Sequence, residues 1–169
     1  MQTYTQVMVS QNENKGRFVA EYVISDLLSE FNYSITDTDI YCPVDLKGVV
    51  SSTTETKEFN VEIKQRNKDI EKYGAYAELR VDKYNRMMSV SQGDTALLYM
   101  VLLNEETAYI FDIKKLDWDK VETFIWTIRK TQVDPSSGYA DYPTYKIPYD
   151  QAIAKIDCKE YFKKWYAKP

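Results

Sequence analysis

An acid followed two residues later by a lysine recurs along the chain, in Glu13-Asn14-Lys15, Asp45-Leu46-Lys47, Glu55-Thr56-Lys57, Glu62-Ile63-Lys64, Asp112-Ile113-Lys114 and Asp157-Cys158-Lys159. Taken singly, such a triplet reads as a solvated charge pair, because exposed ion pairs are common and nearly neutral in energy. Glu62-Ile63-Lys64 differs in its setting. From 58 to 66 the chain alternates, with Phe59, Val61 and Ile63 set against Asn60, Glu62, Lys64 and Arg66, the pattern of a half-buried strand. Glu62 and Lys64 therefore share one face while Ile63 packs into the core. Upstream, Pro43-Val44-Asp45 supplies another acid, and antiparallel pairing through the polar turn at 51–57 brings it toward Glu62. Two carboxylates with a backbone carbonyl, that of Ile63, suit Mg²⁺, which takes oxygen ligands and keeps several waters. A lysine beside such a metal orients an attacking water and stabilises charge growing on phosphoryl oxygens. Asp112-Ile113-Lys114 is the rival, since it too ends a strand, but no Pro-x-Asp precedes it.

Composition narrows the remaining chemistry. The chain contains no histidine and only two cysteines, Cys42 and Cys158. That excludes Ser-His-Asp and Cys-His nucleophilic catalysis, histidine general bases and a zinc site completed by soft ligands. Hydrolysis here has to come from carboxylates, lysine and a hard metal. With 44% apolar and 28% charged residues and few Gly or Pro, the sequence reads as one ordinary globular domain over 1–169. The apolar run Ala96–Leu103 is far short of a membrane span. The start of the chain has neither the basic nor the apolar part of a signal peptide, which predicts a cytoplasmic protein without membrane partners. A net charge of −4 argues against non-specific coating of nucleic acid but leaves room for a local basic cleft.

The elements that have to position these residues read as follows. Ala20, Val23, Ile24, Leu27, Leu28 and Phe31 recur at helical spacing and predict an amphipathic helix over 12–31. Pro43 and Gly48 break 39–50 into short strands forming a hairpin-like pair. A helix is expected over 81–90, and two buried strands at Ala96–Leu103 and 108–113. Trp118, Val121, Phe124, Ile125 and Ile128 predict a helix over 117–129, the break at 135–138 precedes an extended segment at 142–147, and 158–167 reads as a basic-aromatic helix. This mixed order predicts an α/β (α+β) fold in which a central mixed β-sheet is flanked by helices.

Together, Gly16-Arg17-Phe18-Val19-Ala20-Glu21, Pro43-Val44-Asp45 and Glu62-Ile63-Lys64-Gln65 resemble the PD-(D/E)xK nuclease superfamily. Its restriction-endonuclease-like fold includes Holliday-junction resolvases and many repair and phage nucleases. The resemblance reaches through the helix and strand after Lys64, and it departs from the literal motif in that Val44 separates Pro43 from Asp45. It implies a Mg²⁺-dependent DNA endonuclease, with Mn²⁺ able to substitute, in which Asp45 and Glu62 hold metal and Lys64 positions or activates water. It further implies that Glu21 supplements the metal shell from the first helix. On a helical wheel Glu21 lies at the edge of the apolar stripe, and Glu13 is the alternative, nearly in line with it. Gln65 has a role in the site only where the strand twists or ends, because alternation turns it away from Lys64. Lys47, Arg66, Lys68, Arg80, Lys83 and Arg86 are the candidate phosphate contacts. Lys163 and Lys164 beside Phe162 and Trp165 read mainly as a solvent-facing helix end. Cutting both strands of a duplex favours a homodimer. Two other classes stay open: a catalytically silent nucleic-acid- or protein-binding module of the same fold, and a small acidic immunity or phage interaction protein.

Overall fold

In the computed structural model the described residues are 4–39, 41–130, 136 and 138–169. The first helix, α1 (Tyr4–Leu27), starts eight residues before the expected 12 and ends before Phe31, which is exposed. Its stripe of Val19, Ala20, Val23 and Ile24 is buried to within 1%, so the helical spacing located the packed face. Strands β1 (Asn32–Asp37), β2 (Leu46–Ser51) and β3 (Thr56–Arg66) then form an antiparallel meander. The hairpin expected within 39–50 is thus split differently: β2 pairs with β1 and β3, and the stretch around Pro43 is a loop whose Ile40 lies outside the described residues.

A short helix α2 (Ile70–Tyr73), strand β4 (Tyr76–Arg80) and helix α3 (Val81–Ser89) lead into β5 (Ala96–Leu103), which lies parallel to β3. Strand β5 is apolar throughout because both of its faces are covered. Strand β6 (Thr107–Asp112) returns antiparallel, and two 3₁₀ turns lead to β7 (Glu122–Arg129) and β8 (Tyr139–Pro148). Strand β9 (Ala154–Asp157) and helix α4 (Lys159–Tyr166) close the chain. The main sheet is mixed, with six strands in the order β1-β2-β3-β5-β6-β9, and a second, antiparallel sheet has the order β4-β8-β7. The fold is therefore α+β, a mixed central sheet flanked by helices.

Residues 117–129 correct the expected helix. They form a 3₁₀ turn and the strand β7, whose partner is β8. Val121, Thr123, Ile125, Thr127 and Ile128 are β-branched and stiff at χ1, and pairing across a distant strand overrides the helix-like spacing. Of the break expected at 135–138, Pro135 and Ser137 lie outside the described residues.

The six-stranded sheet separates two cores. On one face Val19, Val23 and Ile24 of α1 and Phe162 of α4 pack on Phe59, Val61, Met100 and Ile110. On the other, Met87 of α3 and Leu79 and Ile147 of the small sheet cover Leu97, Tyr99, Val101 and Phe111. Among the described residues no helix is long and apolar enough to cross a membrane.

One close approach in the first core is testable. Gly48 sits opposite Phe59, and a Cβ on Gly48 would lie 2.2 Å from the Phe59 ring, so the ring covers the glycine. Because Phe59 is itself 4% exposed, the ring has little room to move. Gly48→Ala is expected to destabilise the fold by about 2–3 kcal/mol through overpacking, read as a lower urea midpoint with an unchanged slope. A neutral change would mean the ring relocates freely.

Candidate active site

The alternation of β3 decides the site's two walls. Phe59 and Val61 enter the core under α1, while Asn60, Glu62 and Lys64 project to the α3 side. Asn60 Nδ2 donates to Val90 O at 3.0 Å and lies 2.8 Å from Ser91 Oγ. These bonds tie the end of α3 to β3. In the first turn of α3, Lys83 Nζ sits 3.0 Å from Glu62 Oε1.

Asp45 stands just ahead of β2, where the β2–β3 ladder runs out at Leu46↔Val61. Its N–H donates to Val61 O at 2.9 Å, and its Oδ2 accepts from Ile63 N–H at 2.8 Å. The carboxylate thus takes the place of the next β2 residue. Thr38 fixes the same corner, its N–H and hydroxyl donating to Asp45 O at 3.1 and 3.0 Å. In a strand the N–H and C=O of one residue point to the same side, so the Ile63 carbonyl is turned toward Asp45, past the last β2 partner. Asp45, the Ile63 carbonyl and Glu62 are thereby gathered at the end of one ladder.

The cleft around them has a volume of about 490 Å³ and includes Arg17, Asp45, Glu62, Lys64, Arg66 and Lys83 in its lining. Burial pushes the Glu62 carboxyl up to about 8, with a further push from the Asp45 charge that Lys83 and Lys64 only partly offset. Burial, with Arg66 nearby, pulls the Lys64 ammonium down to about 8, against the opposing pull of Glu62. Glu62 Oε2 is buried without a hydrogen-bond partner among the described residues. The ammonium of Lys64, half-buried in the cleft wall, has no hydrogen bond or ion pair to any described residue. An orphaned carboxylate oxygen and an uncommitted ammonium on one wall are the donor and acceptor capacity a ligand would use.

The residues expected from the first helix divide. Glu21 is exposed and does not line the cleft; burial and the Asp37 charge raise its carboxyl, which places it toward β1. Its position one full turn beyond Arg17 carries it past the end of the site. Glu13, the alternative, does line the cleft. The side chain of α1 that reaches Asp45 is Arg17, with Nη2 3.6 Å from Oδ1, a contact that the motif at 16–21 does not by itself predict. Gln65 lines the cleft but donates Nε2 to Asn12 O at 2.5 Å. A Cβ on Gly16 would approach Gln65 Nε2 to 3.0 Å, so Gln65 docks α1 onto β3.

Of the candidate phosphate contacts, Arg66 and Lys83 line the cleft. Lys47 lies in a separate groove with Asn60, Lys68 is paired with Glu78 at 2.9 Å, and Arg80 is bound to Asp82. Arg86 is well exposed beside the same Asp82. In the rival triplet, Lys114 Nζ donates to Gly93 O and Thr95 O, at 3.0 and 2.6 Å, and so ties a loop.

Whether these residues suit a metal turns on the donor set. Among the described residues no group of three or more His, Cys, Asp or Glu side chains is placed to hold a metal ion, and Glu21 does not line the cleft. Asp45, Glu62 and the Ile63 carbonyl remain. Mg²⁺ is commonly held by one or two carboxylates, with water and substrate phosphate completing the octahedron. The oxygen-only set and the orphaned Glu62 Oε2 fit that requirement.

No family model matches the chain, and no curated protein matches it. A solved structure does. It is a Holliday junction resolvase, Hjc, from Archaeoglobus fulgidus, 12% identical, with a TM-score of 0.45 over 88% of this chain and 98% of that one.

Proposed function

We propose that the chain is a Mg²⁺-dependent DNA endonuclease whose centre is Asp45, Glu62, the Ile63 carbonyl and Lys64. The observation that carries this reading is that Asp45 and Glu62, near enough for the Asp45 charge to act on Glu62, line one cleft at the end of the β2–β3 ladder with an ammonium that has no bonding partner among the described residues. Asp45 and Glu62, with the Ile63 carbonyl, would hold the metal, which on binding supplies Lewis-acid polarisation and a water of lowered pKa.

The side chains do the rest. Lys64 accepts no hydrogen bond and donates up to three, so its ammonium can hold the attacking water on one side and a non-bridging phosphate oxygen on the other. As negative charge grows on that oxygen, the half-buried ammonium interacts with it more strongly than a solvated one would. Arg66 and Lys83 line the same cleft and neutralise the flanking phosphates, which positions the scissile bond. Arg17 holds Asp45 in place from α1.

A second reading has one observation in its favour. Lys83 occupies the space beside Glu62 Oε1, as it would in a nucleic-acid-binding module that does not cut. Purified protein incubated with supercoiled plasmid, single-stranded DNA and branched DNA separates the two. Cleavage with Mg²⁺ or Mn²⁺ that chelator abolishes is expected. Retention of DNA with no product under any metal would assign the silent module, and neither binding nor cutting would leave the acidic interaction protein.

A further inference from the structure

The hairpin β7–β8 carries its rings on one face. Phe124 and Trp126 of β7 lie opposite Thr144 and Tyr142 of β8, so these side chains stand together. On the reverse face Thr123, Ile125, Thr127, Asp141 and Pro143 are exposed, so this part of the small sheet extends beyond the core. The ring face is half-buried all the same, and cations cover it. The Arg66 guanidinium lies 5.4 Å from the Trp126 ring, that of Arg80 lies 3.6 Å from Tyr142, and Lys146 Nζ lies 4.9 Å from Phe124.

Rings alternating with cations on an extended sheet match a polymer whose own groups alternate between flat bases and phosphates. A cation over a half-exposed ring is held less strongly than a stacked base. A base can therefore take the ring face while the displaced cation moves to the adjoining phosphate. The strip is also continuous with the cleft, because Arg66 lines the cleft and contacts Trp126. Paired bases inside a duplex present edges and no open faces, so the rings have no use for intact duplex.

We propose that the face of the small sheet bearing Phe124, Trp126 and Tyr142 is a stacking platform for unpaired bases, which feeds a single-stranded segment of DNA past Arg66 to Lys64. This deepens, and rests on, the nuclease reading by naming single-stranded or flap-bearing DNA as the substrate class.

The test is binding of a fluorescent oligothymidylate of about 15 nucleotides, roughly one platform plus cleft, beside a blunt duplex of equal length. It uses the full chain in chelator, so that binding is read without cleavage. Tighter binding of the single strand is expected. Trp126→Ala should weaken that binding by about tenfold, Trp126→Phe by much less, and neither should move duplex binding. A melting curve matching the wild type establishes that each variant is folded, and Tyr142→Ala serves in place of Trp126→Ala if that variant melts early. Equal loss on single strand and duplex, or no loss on either, overturns the platform. Cleavage in Mg²⁺ with unchanged single-strand affinity in Trp126→Ala would leave the nuclease reading standing and the platform fallen. Ring-dependent single-strand binding without cleavage would do the reverse.

Discussion

Lys64→Met is expected to lower phosphodiester cleavage on the order of a thousandfold, the scale of removing one preorganised donor from a developing oxyanion, while DNA binding changes little. Methionine keeps the length and most of the stem that packs in the cleft wall, and it removes only the ammonium. Arg66 and Lys83, which line the same cleft, still contact the flanking phosphates, so the loss belongs in kcat rather than KM. The fold should not suffer. Burial already pulls the Lys64 ammonium down to about 8, which means the folded chain holds that charge at a cost, and methionine relieves it. Plasmid nicking in Mg²⁺ under single-turnover conditions measures the first effect, and a thermal melt the second. Activity within a few-fold of wild type would remove Lys64 from the chemistry and leave the cleft as a binding site.

That Lys64 and Glu62 share a wall was legible from β3 alone, because period-two alternation is a local property and a buried face enforces it. The upstream acid was legible for a similar reason: one short turn separates β2 from β3, so their pairing needs no distant information. What escaped depended on partners far along the chain. The helix-like spacing of Trp118, Val121, Phe124, Ile125 and Ile128 competes with a strand reading until β8 is known to lie beside it. The rotational setting of α1 was legible to within its buried stripe, but which flanking side chain meets Asp45 depends on how far the helix slides along β3. Gly16 resting on Gln65 settles that, and it puts Arg17 rather than Glu21 at the site. Lys83 was legible as a cation near the site but not as the partner of Glu62, since that contact depends on Asn60 of β3 holding the end of α3 through Val90 and Ser91.

Glu62→Gln is expected to abolish cleavage and yet to stabilise the metal-free protein at pH 8. The Glu62 carboxyl is raised from 4.5 to about 8, so the fold favours its neutral form. Its contribution to stability is fully present below about pH 4.5 and is lost as pH rises through about 8, because over that window the unfolded chain ionises Glu62 freely and the folded chain does not. Lys64, pulled down from 10.5 to about 8, acts over a different window: its contribution is complete above about 10.5 and is lost as pH falls through about 8. The Glu62 and Lys64 contributions together therefore decline from pH 5 to a minimum near pH 8, and the Lys64 part recovers above it, while the raised Cys158 thiol opposes that recovery above about pH 9. Glutamine keeps an acceptor for Lys83 and has no charge to strand, so the variant loses the acid-side decline and should exceed wild type by roughly 2 kcal/mol at pH 8. Mg²⁺ reverses the ranking, since a ligand that binds only the folded state stabilises it by an amount that grows with the logarithm of its concentration relative to Kd, and only the wild type retains both carboxylates. Urea unfolding at pH 6 and pH 8, in chelator and in millimolar Mg²⁺, reads all of these terms. A Glu62→Gln variant weaker than wild type in chelator at pH 8 would show that the ion pair with Lys83, rather than an uncompensated buried charge, governs this position. A wild type indifferent to Mg²⁺ would show that the two carboxylates hold no metal.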